Sequence, residues 1–272
     1  MHSIKQLDSN ISPTHFITHE LAETGQIHQH AKLQFQRTLF YQSTLIYVAQ
    51  GSKTLRYAGG EYTAHTGEWL LIAGNQSFDV INRPQNGTFI AKWLSITDEL
   101  IGEFLTRYSQ TDKVNVAKIL RTDERLLESF GRISLALEQG LPQGVVWGRI
   151  WELLAWLAHH NAVFHLDSPD HLTYRIRQMI AKNPDQAWQC QDIAKAFNIS
   201  ESTLRRQLAE RGVSFRTLLT QIRLMRALTL LQTTQKPIAQ IAESVGYESA
   251  ARFGSRFKAH FGFMPSDVRK AK

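Results

Sequence analysis

Residues Ile193–Gly212 read IAKAFNISESTLRRQLAERG, and Ile241–Gly262 read IAESVGYESAARFGSRFKAHFG. Each stretch holds two short helical patterns joined by a tight corner. In the first, Ile193, Ala194 and Phe197 face a small core, and Leu204 and Leu208 recur four apart in the second helix. Ser200 stands where a hydroxyl meets free amides at the start of that helix. In the later stretch Ile241, Ala242 and Val245, with Ile238 just ahead of it, supply the core, Gly246 marks the corner, Ser249 caps, and Phe253 and Phe257 are buried.

What is left outside is short, polar and basic. Ser202, Thr203, Arg205 and Arg206 fall on the outer face of one helix, and Ala251, Arg252, Ser255 and Arg256 on the outer face of the other. A helix that enters a DNA major groove needs residues of this kind. Arginine bonds a guanine edge with two donors, serine or threonine reaches a base or phosphate, and alanine meets a thymine methyl. Between the stretches, Ser214–Thr234 carries an apolar stripe of Phe215, Leu218, Leu219, Ile222, Met225, Leu228 and Leu231. A spacer of about nineteen residues spans roughly 28 Å. Two reading helices must stand about 34 Å apart to enter successive major grooves. One chain thus holds both readers that simpler repressors bring together by dimerising.

The charge is distributed accordingly. From His171 onward there are 17 Lys+Arg against 7 Asp+Glu, a balance of +10, whereas the first 170 residues carry 14 against 17, a balance of −3. Only the C-terminal third is built to meet a polyanion. Lys195, Arg211, Arg216, Lys258, Arg269 and Lys270 are its candidate phosphate contacts.

The stretch IAQIAESVGYESAARFGSRFKAHFGFMPSDVR resembles the signature of the AraC/XylS-type transcription regulators. The matching residues are Ile238, Ile241, Ala242, Gly246, Tyr247, Ser249, Phe253, Phe257, Lys258, Phe261, Gly262, Pro265, Ser266 and Arg269, and the resemblance extends densely over about Leu172–Arg269. It departs at Phe253-Gly254-Ser255-Arg256: many members carry the arginine one position earlier, about 100° around the helix. Gly254 also lowers the helix's intrinsic stability by up to about 1 kcal/mol relative to Ala. The resemblance implies a two-domain α+β chain. Residues 1–166 would form a cupin-like antiparallel β-barrel with flanking helices that binds an effector or dimerises. Residues 171–272 would form an all-α DNA-binding domain, with helix-turn-helix units at about 191–211 and 238–260. It further implies double-stranded promoter or operator DNA as partner, a contact with RNA polymerase, and activation as the output.

The front half has its own pattern. Up to Ile96, short β-branched and aromatic runs are broken at Gly51, Gly59-Gly60, Gly67, Gly74-Asn75 and Asn86-Gly87, as in a compact sandwich or barrel. The Gly59-Gly60 and Asn86-Gly87 pairs suit tight hairpins. Helical spacing takes over in Glu99–Tyr108, Asp123–Gly140 and Val145–Phe164, and the Asp-, Ser- and Pro-bearing HLDSPDHL, His165–Leu172, marks the domain boundary. A second cupin metal motif laid on Gly67–Asn82 keeps Gly67 and Asn82, but Ala73, Asn75 and Phe78 replace its proline, glycine and metal-binding histidine. His28 and His30 form an H-x-H pair with no third ligand at metal spacing. No metal and no cofactor is implied.

A barrel without metal ligands keeps an interior for a small molecule. Phe35, Tyr47, Tyr57, Trp69, Phe78 and Trp93 are candidate lining residues by strand alternation, and Lys32, Arg37, Arg56 or Lys92 would pair with an organic anion. The lone Cys190 suits a reducing cytoplasm, and MHSIKQLDSNISPTHF lacks the apolar core of a signal peptide. The apolar Ile150–Phe164 stretch is interrupted by Glu152, His159 and His160 and is too short to cross a bilayer. The sequence therefore reads as a cytoplasmic DNA-binding regulator, monomeric or homodimeric, with no membrane contact and no catalytic residues. Two other readings stay open: a cupin-type metalloenzyme fused to a DNA-binding domain, and a regulator without effector, controlled by its abundance or a protein partner.

Overall fold

The computed structural model describes residues 16–108, 112–121, 123–166 and 172–272. Residues 1–15 and most of the boundary segment, 167–171, lie outside the described residues. The chain forms two compact units. The first is built on the strands and the helices that follow them, and also takes in Gln232–Thr234 and Ala271–Lys272; the second holds 172–231 and 235–270.

The first unit begins with β1 (Phe16–Thr18), β2 (Ala22–Gln29), β3 (Leu33–Phe40), β4 (Ser43–Gln50), β5 (Ser52–Tyr57), β6 (Gly60–His65), β7 (Glu68–Ile72), β8 (Gln76–Arg83) and β9 (Phe89–Ile96). Next come α1 (Asp98–Leu105), β10 (Lys113–Val114), β11 (Ala117–Arg121), α2 (Glu124–Glu138), α3 (Gln143–His159) and β12 (Val163–Phe164). Among the described residues one sheet runs β1-β2-β9-β4-β7-β11 and another β3-β8-β5-β6, with every neighbour in both antiparallel. β11 is a strand that helical and turn spacing did not mark.

The glycines explain the crossings. Gly51, between β4 of one sheet and β5 of the other, has φ +89°, and a Cβ there would stand 2.4 Å from the Arg83 carbonyl oxygen. Only glycine fits this close approach. Asn86 and Gly87 both have positive φ, 52° and 79°, in a corner closed by the Gln85–Thr88 bridge, as a two-residue hairpin turn requires. The other expected pair is shifted by one residue: Tyr57 pairs with Gly60, so Ala58 and Gly59 form the loop and Gly60 opens β6.

The two sheets face each other. Lys53 of β5 lies over the Phe89 ring of β9, and Asn82 of β8 bonds Gln29 of β2, so Leu55, Phe78 and Val80 on the same strand faces point inward. The opposite face of the larger sheet packs on α1–α3 through Leu45, Trp69, Leu71, Leu94 and Ile96.

The second unit consists of α4 (Leu172–Lys182), α5 (Cys190–Ala196), α6 (Glu201–Ala209), α7 (Phe215–Thr233), α8 (Ile238–Ser244), α9 (Ala250–Phe261) and α10 (Pro265–Lys270). Ile176, Ile180, Ile193, Leu204, Leu208, Leu218 and Ile222 share one core. Around α8 and α9 the Phe253, Phe257 and Phe261 rings pack in series, edge-to-face and then tilted, with centroids 5.5 and 4.6 Å apart. α7 is buried on more than its expected stripe, since Leu224, Ala227 and Leu230 are buried as well.

Candidate nucleic-acid interface

The first head is built by local chemistry. Asp192 on α5 accepts from the Gln189 amide at 2.8 Å, closing a capping box. The helix ends at Phe197, and Asn198 takes a left-handed φ of 53°, which lets the Ile199 amide donate back to Ala194 O at 3.0 Å. α6 starts at once, with Ser200 Oγ accepting from the Thr203 amide at 3.1 Å. Leu204 and Leu208 are buried, so the remaining face is turned outward.

On that face Arg205 and Arg206 are exposed and held by carboxylates four positions away, Glu201 at 3.2 Å and Glu210 at 3.6 Å. Exposed pairs of this kind contribute little, so both guanidiniums leave their carboxylates at small cost. Ser202 is exposed and Thr203 half-buried, and both hydroxyls lie within 2.9 Å of Ser200 Oγ.

The second head repeats the device. The Gly246 corner, φ 79°, returns the Tyr247 amide to Ala242 O at 2.9 Å, and Ser249 Oγ accepts from the Arg252 amide at 3.4 Å. Ala251, Arg252, Ser255 and Arg256 are all exposed on α9. With Arg216 and Thr220 of α7 they line one open cleft of about 770 Å³. Gly254 faces the other way and is buried, with Met264 Cε 3.2 Å from where its Cβ would be.

Lys195, Arg211, Arg216, Lys258 and Lys270 are exposed. Arg269 is not a free cation of this set: it is half-buried and donates to Lys236 O, and burial lowers its pKa. Tyr247, beside the corner, is pushed above the ordinary phenol range by burial, against the opposing pull of Arg223 and Arg256.

The effector-pocket candidates separate. Phe35, Phe78 and Tyr57 share the inward face of the small sheet, with the Tyr57 ring 5.7 Å from Phe78, and Trp93 lies opposite, 5.9 Å from Phe16. Trp69 and Tyr47 do not line the interior. They point to the helices, where Trp69 meets Tyr47 at 4.8 Å and Phe130 at 5.2 Å. Lys92 pairs with Tyr47 across the strands and shares that outer side. Lys32 and Arg37 are exposed, and Arg56 is tied to Glu61 at 2.8 Å.

Lys53, absent from the sequence candidates, is an inward-facing cation. It is buried and donates to Asn82 Oδ1 at 2.9 Å, while Asn82 Nδ2 donates to Gln29 Oε1 at 3.1 Å. Burial pulls its pKa down to about 7. Each of the paired histidines has its own protein partner, His28 with Gln26 and His30 with Gly87 O. Among the described residues no cluster of three His, Cys, Asp or Glu is assembled for a metal, and no helix is long and apolar enough to cross a membrane.

Known proteins share these parts. A helix-turn-helix domain model matches residues 193–271, and a model of the ExsA N-terminal regulatory domain matches 43–166. The HTH-type transcriptional activator CfaD of Escherichia coli is 33% identical over 197 residues, which cover 71% of this chain and 69% of CfaD. The chain belongs to the AraC/XylS-type family. Another relative, the urease operon transcriptional activator of Escherichia coli, is 37% identical over 106 residues, and the match spans only 35% of that protein. The solved structure of ToxT from Vibrio cholerae with bound unsaturated fatty acid superposes with a TM-score of 0.65 over 93% of this chain and 96% of ToxT, at 17% identity. That likeness gives this AraC/XylS-type chain the two-domain fold of ToxT: β-rich sheets in front, helix-turn-helix units behind.

Proposed function

We propose that this chain is a sequence-specific transcription activator that reads two successive major grooves of promoter DNA with α6 and α9. One observation carries the reading: both heads place an arginine-bearing polar face outward from a helix set by the same left-handed corner, and a nineteen-residue helix joins them. Arg205, Arg206, Arg252 and Arg256 read base edges, assisted by Ser202, Thr203, Ala251 and Ser255. Lys195, Arg211, Arg216, Lys258 and Lys270 hold phosphates and supply affinity without sequence choice. Arg269, through its bond to Lys236 O, orders the approach to α8 rather than gripping phosphate.

The N-terminal unit biases DNA competence, through a small molecule between its two sheets or by pairing two protomers. Such a ligand acts only if it binds the competent and incompetent arrangements unequally. ToxT was solved with an unsaturated fatty acid, which makes organic acids the first class to screen. The bound activator contacts RNA polymerase, works in the cytoplasm and performs no catalytic step. Selection of duplexes from a random pool, followed by transcription in vitro with polymerase, tests the assignment. A recovered consensus that this chain needs for transcript synthesis supports it; recovery of no consensus defeats it.

A further inference from the structure

Arg223 stands on α7 between the two heads. Its Nε donates to Pro184 O at 2.8 Å and its Nη2 to Gln186 O at 2.9 Å, both carbonyls in the segment leading into α5. The same guanidinium lies against the corner of the second head, where a Cβ on Gly246 would stand 2.5 Å from Nη2 and 2.7 Å from Cζ. One planar side chain therefore touches the approach to the first head, the spacer and the turn of the second. It also lines two clefts, about 770 Å³ beside the outer face of α9 and about 620 Å³ beside Asp185 and Ala187.

We infer that Arg223 is a positioning residue that fixes the separation and orientation of the two reading helices. Its consequence for DNA rests on the reading proposed above; its geometry does not. The guanidinium suits the task because it is flat and forked. It spends its donors on two carbonyls while its face covers a residue with no side chain. Lysine, a point charge on a flexible stem, cannot do both. Burial lowers the Arg223 pKa, against the opposing influence of Tyr247 and Asp185, as expected of a guanidinium enclosed in the joint. Two tethered readers gain jointly only when the tether holds both at the required spacing, and a loose joint forfeits that gain without touching either head.

The test uses the full chain, in Cys190→Ala background, with spin labels on Ala209→Cys of α6 and Ala259→Cys of α9. Pulsed dipolar spectroscopy should give a narrow distance distribution for the parent and a broader one for Arg223→Gln and Arg223→Lys. Circular dichroism reports whether each variant is folded, and the lysine variant keeps the charge. Binding is then compared on a selected duplex and on the same duplex with the second-head element scrambled. The parent should prefer the intact duplex by about a hundredfold or more, and the variants should lose at least about tenfold of that preference with single-element affinity held within about twofold. An unchanged distance distribution, or equal losses on both duplexes, would overturn the inference. If the parent selects no duplex, the DNA reading fails, while broadening on substitution still upholds the clamp.

Discussion

Asn198 and Gly246 occupy the same left-handed corner in the two heads, with φ of 53° and 79°, and each lets the next amide return to an alanine carbonyl, Ala194 or Ala242. The two are not interchangeable. Asn198 carries a side chain in the open, whereas Gly246 lies flat beneath the Arg223 guanidinium.

Substitution at these corners should therefore be asymmetric. Gly246→Ala should destabilise the second unit by at least about 1–2 kcal/mol from the backbone alone, with the Arg223 contact adding to it. Asn198→Gly should change stability by less than about 1 kcal/mol. Urea unfolding of both variants measures this, and equal losses would contradict the assignment of Gly246 to the joint.

The cap of the first reading helix gives a smaller effect. Ser200→Ala removes the acceptor of the Thr203 amide and the partner of the Ser202 and Thr203 hydroxyls. It should cost about 1 kcal/mol, and Ser200→Asp should restore most of it. Thermal melts of the pair check both statements.

Much of this architecture was legible in the sequence, for identifiable reasons. The heads announce themselves through apolar spacing, Ser caps and a glycine corner, all local signals. The strands announce themselves through turn residues, but β7 shows where this fails. Trp69, Leu70, Leu71 and Ile72 are all fully buried, so alternation cannot tell the face toward the other sheet from the face toward α2; Trp69 and Tyr47, lining candidates by alternation, in fact face the helices. Lys53 did leave a signal, since Lys53, Leu55 and Tyr57 alternate onto one face of β5. The Arg223 bonds left none: their acceptors are 39 and 37 residues away in the chain.

Lys53 makes stability depend on pH. Burial holds its folded pKa at about 7, against 10.5 for the free side chain. Between these values the unfolded chain binds a proton that the folded chain does not, so stability rises with pH, by up to about 1.4 kcal/mol per unit. Below about pH 7 both states are protonated and this slope disappears. Urea midpoints of the parent and Lys53→Met, compared from neutral to alkaline pH, should diverge in slope. Parallel curves would mean that the amine is charged or solvated in the folded unit.

Base reading and phosphate gripping separate by profile. Arg205→Ala should relax choice at one or two base pairs, costing about 1–3 kcal/mol on the matched duplex and little on a mismatched one. Lys258→Ala should weaken all duplexes alike and reduce the salt slope by about one. Titrations on matched and mismatched duplexes at several salt concentrations distinguish these, and identical profiles for the two variants would refute the roles.

Footprinting with methylation interference on a selected duplex puts the central claim to its most direct test. Two major-groove patches on one face, centred about 34 Å apart, should be protected by a single protomer. One protected patch, with the same pattern in a chain whose α9 arginines are replaced, would contradict it.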